Sequence, residues 1–375
     1  MKKIICFLLI ICSLCCFNFV NSIKVSAEPY KASVVIESSS NRVLSEYNKD
    51  DRLAMASTTK IMTALITLEN CEDLRTVVDV DDRAVGIEGT SIYLKKGEKL
   101  TVEELLYGLI LPSGNDASLA LAYFIGKGNL EDFVSLMNDK AESLGLKNTH
   151  FANPHGLDAK EHYTSAYDLA IITSNALKFD AFREIVSTKN KQISGNSEVP
   201  HRFLRNKQRL LRTLEGCNGV KTGFTDNAGR CLVTSCKRGD MEVISVVLNC
   251  PDMFNESARL IENAYKTYKM VSLLEPYSFI TNIPVEEGEI ESVKVYSMKG
   301  FKYPLKEEEL SKINIERELP EILSAPVEKE QIVGEIKIFY DKDLIFLEKV
   351  YTMESVKSLD IKDKMKDIID KWFYE

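Results

Sequence analysis

The chain has 375 residues, more than one ordinary core accommodates, so two domains are expected. Its composition, 45% hydrophobic and 28% charged, is that of a globular protein. The net charge of −8, with no basic run interleaved with aromatics, argues against a nucleic-acid binder.

The N-terminus "MKKIICFLLIICSLCCFNFV" is two lysines followed by a long apolar run, and Val25-Ser26-Ala27 forms a small-residue cleavage site before Glu28. Residues 1–27 therefore read as a secretory signal peptide, with an uncleaved anchor as the alternative, and the expected location is extracytoplasmic. The residues before Cys12, Cys15 and Cys16 are not the small ones a lipoprotein signal needs. Loss of this segment, with its three lysines and no acid, takes the net charge from −8 to −11. Five cysteines remain, Cys71, Cys217, Cys231, Cys236 and Cys250. Odd in number and without CxxC spacing, they suit neither a disulfide framework nor a zinc site and read as small free hydrophobes.

"KASVVIESSSNRVLSEYN" reads as a β-hairpin around a Ser/Asn turn. "MASTTKIMTALITL", residues 55–68, reads as an apolar helix. Residues 102–145 carry helical periodicity in pieces, broken at "LPSGNDAS" by Pro112 and Gly114. Three strands are expected near 219–225, 229–236 and 241–249, then a helix over "MFNESARLIENAYKTYKMV". This order predicts an α+β fold, an antiparallel sheet covered by helices, over residues 28–272. From about residue 275 to 358, short alternating strands predict a small all-β domain. Residues 359–375 predict an amphipathic helix. Ile361, Met365, Ile368, Ile369, Trp372 and Phe373 share one face, and lysines and aspartates occupy the other.

The chemistry concentrates in three short motifs. Ser57 and Lys60 lie three apart at a helix mouth, on one face. A serine hydroxyl needs an adjacent base, and a lysine whose pKa is lowered by burial can be that base. Helix N-terminal N–H groups favour developing negative charge. No other Ser-x-x-Lys occurs in the chain. Ser113-Gly114-Asn115 interrupts two core-like stretches, where a polar loop could enter a cleft. Lys221-Thr222-Gly223 falls on an expected strand. Its charge and hydroxyl suit a substrate carboxylate, and Gly223 permits close backbone approach.

In this order the three motifs match the set shared by penicillin-binding proteins and class A β-lactamases, with Ser-Gly-Asn for Ser-Asp-Asn. The segments "LAMASTTKIMTAL", "GTSIYLKKGEKLTVEELLYGLILPSGNDASLALA", "FANPHGLDAKEHYTSAYDLA" and "GVKTGFTDNAGRCLV" resemble the D-alanyl-D-alanine carboxypeptidases among the low-molecular-mass penicillin-binding proteins. The likeness is strong over residues 30–270 and weaker in the β domain and terminal helix.

The resemblance implies a serine transpeptidase/β-lactamase-like fold and loss of the terminal D-alanine from peptidoglycan stem peptides through an acyl-enzyme, with β-lactams as covalent inhibitors. It implies Ser57 as nucleophile, Lys60 as its base and Ser113 in the proton network. Asn115 would hold the peptide amide, Lys221, Thr222 and Gly223 the carboxylate end, and the backbone N–H groups of Ser57 and Phe224 the oxyanion. No cofactor or metal is implied. Arg209 is a loose match to a family arginine near the carboxylate pocket, since Gln208 stands where asparagine is expected.

Three other readings compete. A β-lactamase would need a Glu-x-x-Leu-Asn between Ser113 and Lys221, which is absent. A zinc peptidase could use His150, His155 and His162, but their spacing fits loop positions and no His-Glu-x-x-His occurs. A non-catalytic wall scaffold would lack turnover despite intact motifs. The tail adds a membrane partner. Seventeen residues this rich in charge cannot span a bilayer but can lie on its surface. A chain ending at Ser358 is expected to stay active on small peptides and to leave the membrane fraction. Sedimentation with membranes after signal cleavage, or unfolding, would instead favour a helix docked on the β domain.

Overall fold

The computed structural model describes residues 28–196 and 200–360, together with Met365. The signal segment and most of the expected terminal helix lie outside the described residues. Leu359 is not helical; its N–H donates to the Glu287 carbonyl at 2.8 Å.

The hairpin forms as expected: β1 (Ala32–Glu37) pairs with β2 (Val43–Tyr47). The three later strands are β7 (Cys217–Thr225), β8 (Gly229–Arg238) and β9 (Met241–Leu248). They join the hairpin in one antiparallel sheet of order β2-β1-β9-β8-β7, which leaves β7 at an edge. Every residue of β1 and β9 is buried. Their runs are apolar rather than alternating because both sheet faces are covered. Val34, Ile36, Ile244 and Val246 face one core, packed with α1 (Lys60–Asn70) and its neighbours. Val35, Val243 and Val247 face a second, closed by Leu260, Ile261 and Ala264.

Residues 102–145 give α2 (Val102–Ile110), α3 (Asn115–Ile125) and α4 (Leu130–Ser143). The first begins with a capping box between Thr101 and Glu104. A short antiparallel pair, β3 (Val77–Asp79) and β4 (Lys99–Thr101), two further helices, α5 (Ala166–Ala176) and α6 (Asp180–Ser187), and a hairpin of β5 (Asn190–Ser194) and β6 (His201–Arg205) complete this part.

Two local expectations need correction. The helix at residues 55–68 starts as a 3-10 turn, Ala56–Thr59, and becomes α-helical only at Lys60. The later helix, α7 (Met253–Thr267), stops before Tyr268 rather than continuing to Val271. Residues Lys269–Leu274 are β10, drawn into pairing with β13 (Phe301–Leu305); a tertiary partner outweighs the helical periodicity. The change to all-β structure therefore comes at Lys269.

The β part is built on a six-stranded sheet, which includes β11 (Phe279–Glu286) and β12 (Ser292–Ser297), around Ile283, Val285, Val293, Val295, Ile336, Ile338 and Val350. Arg42, from the β1–β2 hairpin, fastens it to the sheet-and-helix part. Its guanidinium pairs with Glu309 at 2.8 Å, donates to the Pro304 carbonyl, and lies 4.5 Å and 5.0 Å from the ring centroids of Tyr340 and Tyr303. The Tyr268 hydroxyl donates to the Leu44 carbonyl at 3.0 Å across the same joint. All five cysteines are free, with Cys231, Cys236 and Cys250 buried.

Candidate active site

Ser57 sits in the 3-10 turn, where residues three apart eclipse, so its hydroxyl and the Lys60 amine face each other at 3.0 Å. The turn is held open at a strained point: Ala56 has φ +50, a left-handed conformation that costs a non-glycine residue about 1 kcal/mol or more. Two glycines make room for it. A methyl on Gly156 would lie 2.0 Å from the Ala56 carbonyl oxygen, and one on Gly223 would lie 3.2 Å from the Ser57 nitrogen. Gly156 itself has φ +91. The Thr58 and Thr59 hydroxyls donate to the Met55 and Ala56 carbonyls at 2.6 and 2.8 Å, pinning the turn from within.

Lys60 is wholly buried. Besides Ser57, its Nζ meets Asn115 Oδ1 at 2.7 Å and the His155 carbonyl at 2.6 Å. Both are acceptors only. Asn115 is oriented by its Nδ2, which donates to the Glu88 carbonyl at 2.7 Å, so its oxygen must face Lys60. A neutral amine spends its two N–H bonds on those acceptors and turns its lone pair to Ser57. Burial, then the nearby cations of Lys221 and Lys207, push Lys60 well below the ordinary lysine range; Asp116 opposes this more weakly.

Ser113, in the loop before α3 (Asn115–Ile125), has φ +74, and its buried Oγ has no protein partner among the described residues. Gly114 fits where a side chain would not: an added methyl would lie 3.0 Å from the Gly108 carbonyl and 2.9 Å from Asp116 Oδ1. That crowding accounts for Ser-Gly-Asn here. Lys221 is buried on β7, its Nζ donating to the Thr222 carbonyl at 3.1 Å. Burial and the Lys207 cation push it down to about 7.

A cleft of about 1130 Å³ opens along the β7 edge, with Ser57, Ser113, Thr222, Gly223 and Phe224 on its walls. The expected site residues thus gather in one place: five of the eight line the cleft, while Lys60, Asn115 and Lys221 lie buried behind it. One contributor escaped sequence reading, the His155 carbonyl, 95 residues from Lys60. The only signal was the loop "NPHGLD". Asn153 Oδ1 accepts the N–H groups of His155 and Gly156 at 3.3 and 2.7 Å, and Pro154 is bonded by Thr63 and Ser118. The histidines have protein partners of their own. His162 bonds Thr59 Oγ1 and the Ala152 N–H, and His150 Nδ1 meets the Glu161 carbonyl. Burial pushes His155 down to about 3 and His162 to about 4.

An α+β sheet with a serine–lysine pair at its edge places the chain among serine-type hydrolases, and comparison with known proteins narrows this. The family described as "D-alanyl-D-alanine carboxypeptidase" (Peptidase_S11) matches residues 20–252, and "Penicillin-binding protein 5, C-terminal domain" matches residues 265–358. D-alanyl-D-alanine carboxypeptidase DacF of Bacillus subtilis is 32% identical over 354 residues, 92% of this chain and 90% of that protein. DacA of Escherichia coli is 31% identical over 366 residues, covering 94% and 89%. The crystal structure of penicillin binding protein 5 from Haemophilus influenzae superposes with a TM-score of 0.72 at 29% identity, covering 88% of this chain and 98% of that one. The chain belongs to the D-alanyl-D-alanine carboxypeptidase family.

The Gly156 contact yields a test. Gly156→Ala is expected to displace the Ala56–Ser57 turn and reduce the rate of serine acylation at least about 100-fold, because a misplacement near 1 Å has that effect. Stopped-flow acylation of a folded variant at the wild-type rate would contradict the packing described.

Proposed function

We propose that the protein is a serine-type D-alanyl-D-alanine carboxypeptidase that removes the terminal D-alanine of peptidoglycan stem peptides through an acyl-enzyme on Ser57. The observation that carries this is the fully buried Lys60 amine, 3.0 Å from Ser57 Oγ with its other two contacts both acceptors. Lys60 takes the Ser57 proton as Oγ attacks the penultimate carbonyl. The proton then passes to the leaving D-alanine nitrogen, with Ser113 Oγ as the hydroxyl within the cleft. Water hydrolyses the ester and releases the shortened peptide. Because β7 is an edge strand, an extended peptide can add to it as a further strand. Its terminal carboxylate then falls to Lys221 and Thr222, and the oxyanion to the N–H groups of Ser57 and Phe224. Asn115 keeps one amide N–H for the substrate.

A β-lactam, whose amide replaces the scissile bond, acylates the same serine. The N-terminal segment supports action outside the cytoplasm, and the apolar stripe of residues 359–375 supports attachment to the outer face of the cytoplasmic membrane.

Three experiments test this reading. Labelled penicillin is expected on Ser57, and Ser57→Ala should abolish both labelling and D-alanine release; a label on Ser113, or acylation without peptide release, would refute it. The pH profile follows from the two lysines. Lys60 must be neutral to act, so kcat/KM rises as pH climbs through its lowered pKa. Lys221 must be charged to hold a carboxylate, so capture declines as pH passes its value of about 7 in the empty cleft. A bell is expected. Lys60→Arg should stop acylation, while Lys221→Arg should mainly raise KM; equally fast acylation by both would contradict the division of roles.

A further inference from the structure

Strands β7 and β8 bring together two cysteines that the sequence keeps apart. Cys217 opens β7 and stands opposite Cys236 of β8 in the ladder. The backbone bonds around them define the kind of pair. The Lys237 N–H donates to the Gly216 carbonyl at 2.8 Å, just outside the pair on both strands. The Cys217 N–H turns away to the Leu214 carbonyl at 3.2 Å, and the Cys236 carbonyl accepts from the Tyr265 hydroxyl at 2.6 Å. The two cysteines are therefore a non-hydrogen-bonded pair. At such positions antiparallel strands bring Cα atoms to about 4.5 Å and side chains closest together. A disulfide spans Cα separations of about 4.4–6.8 Å.

Both side chains also point to one side of the sheet. Cys236 is wholly buried in the core closed by Leu260, Ile261 and Ala264, and Cys217 packs half-buried against that same core. Contact with Cys236 holds the Cys217 thiol below the ordinary cysteine range, with burial opposing, and the same contact pushes the Cys236 thiol up. Cys217 is thus both the readier thiolate and the more accessible sulfur. The remaining cysteines are placed differently. Cys231 stands opposite Gly223 in the same ladder, and Cys71 and Cys250 lie outside the strands.

We propose that Cys217 and Cys236 are a modification site, closed by thiol–disulfide exchange into a cross-strand link that staples the edge strand β7 to β8. The Cys217 thiolate attacks a low-molecular-mass disulfide, whose S–S bond breaks and releases one thiol. Cys236 then gives up its proton, attacks the Cys217 sulfur of the mixed disulfide and expels the second thiol. Two protein thiols are oxidised and one external disulfide is reduced to two thiols. Oxidising surroundings outside the cytoplasm let such a link persist. The link fastens the start of β7, ahead of Lys221 on the same strand, and leaves the pairing of Lys221–Phe224 with β8 as it is. It does not depend on the reaction assigned to Ser57.

The test incubates the folded mature chain with oxidised glutathione, alkylates the remaining thiols, and maps the digest by mass spectrometry. A peptide joining Cys217 to Cys236, split by reductant, is expected in the wild type and absent from Cys217→Ser. Cys236→Ala should stop at the mixed disulfide, with glutathione retained on Cys217. Should that variant not fold, the wild-type map decides. The linked protein is expected to unfold about 5 °C above its reduced form, because closing a loop of this size restricts the unfolded chain. Full alkylation of both cysteines after exposure, a link from either to a different cysteine, or a linked form no more heat-resistant than the reduced one would overturn the proposal.

Discussion

The site depends on one buried amine. Taking an ammonium out of water costs several kcal/mol even after the protein relaxes. Nothing near Lys60 offsets that cost in full: its direct partners are an amide oxygen, a backbone carbonyl and a hydroxyl, and the nearest charges include two more cations. The neutral form is therefore the one the fold tolerates, and it is the only form that can take a proton from Ser57. The penalty for burying the residue and the reactivity of the residue have the same origin.

Much of the surrounding structure keeps that amine in place. Helix α1 is buried along nearly its whole length, which seals Lys60 from solvent. Asn115 and the loop at His155 arrive from distant parts of the chain to occupy the two N–H positions. Gly156 and Gly223 let two backbones close on the Ala56–Ser57 turn. Left-handed conformations at Ala56 and Ser113 bring both hydroxyls to the cleft at a local cost borne by the packed core. The edge position of β7 supplies free backbone groups for an extended ligand, and Arg42 ties the β part to the far end of the same sheet.

What the sequence revealed followed how local each feature is. The β1–β2 hairpin and the run β7–β8–β9 were legible because their apolar runs and the turn residues between them are contiguous. Ser57 and Lys60 were legible because their contact spans three residues. Where a distant partner decides, local reading failed. Lys269–Val271 continues the helical pattern yet pairs with β13, and α5, buried almost all round, leaves too little periodicity to be read. The His155 carbonyl has no side-chain signature at all, since any residue supplies a carbonyl. Asn115 was expected to face substrate; its sequence context does not show that its oxygen is already committed to Lys60.

The protonation state of Lys60 in the folded protein is the most direct measure of this account. Lysine methyl-13C labelling after reductive methylation would change the amine itself, so the suitable probe is the 13Cε resonance of specifically labelled lysine, assigned through Lys60→Arg and followed across pH. The account predicts that Lys60 titrates well below the solvent-exposed lysines and is neutral at the pH of activity. A Lys60 that titrates with the exposed lysines near 10.5 would contradict it, because a permanently charged amine cannot activate Ser57.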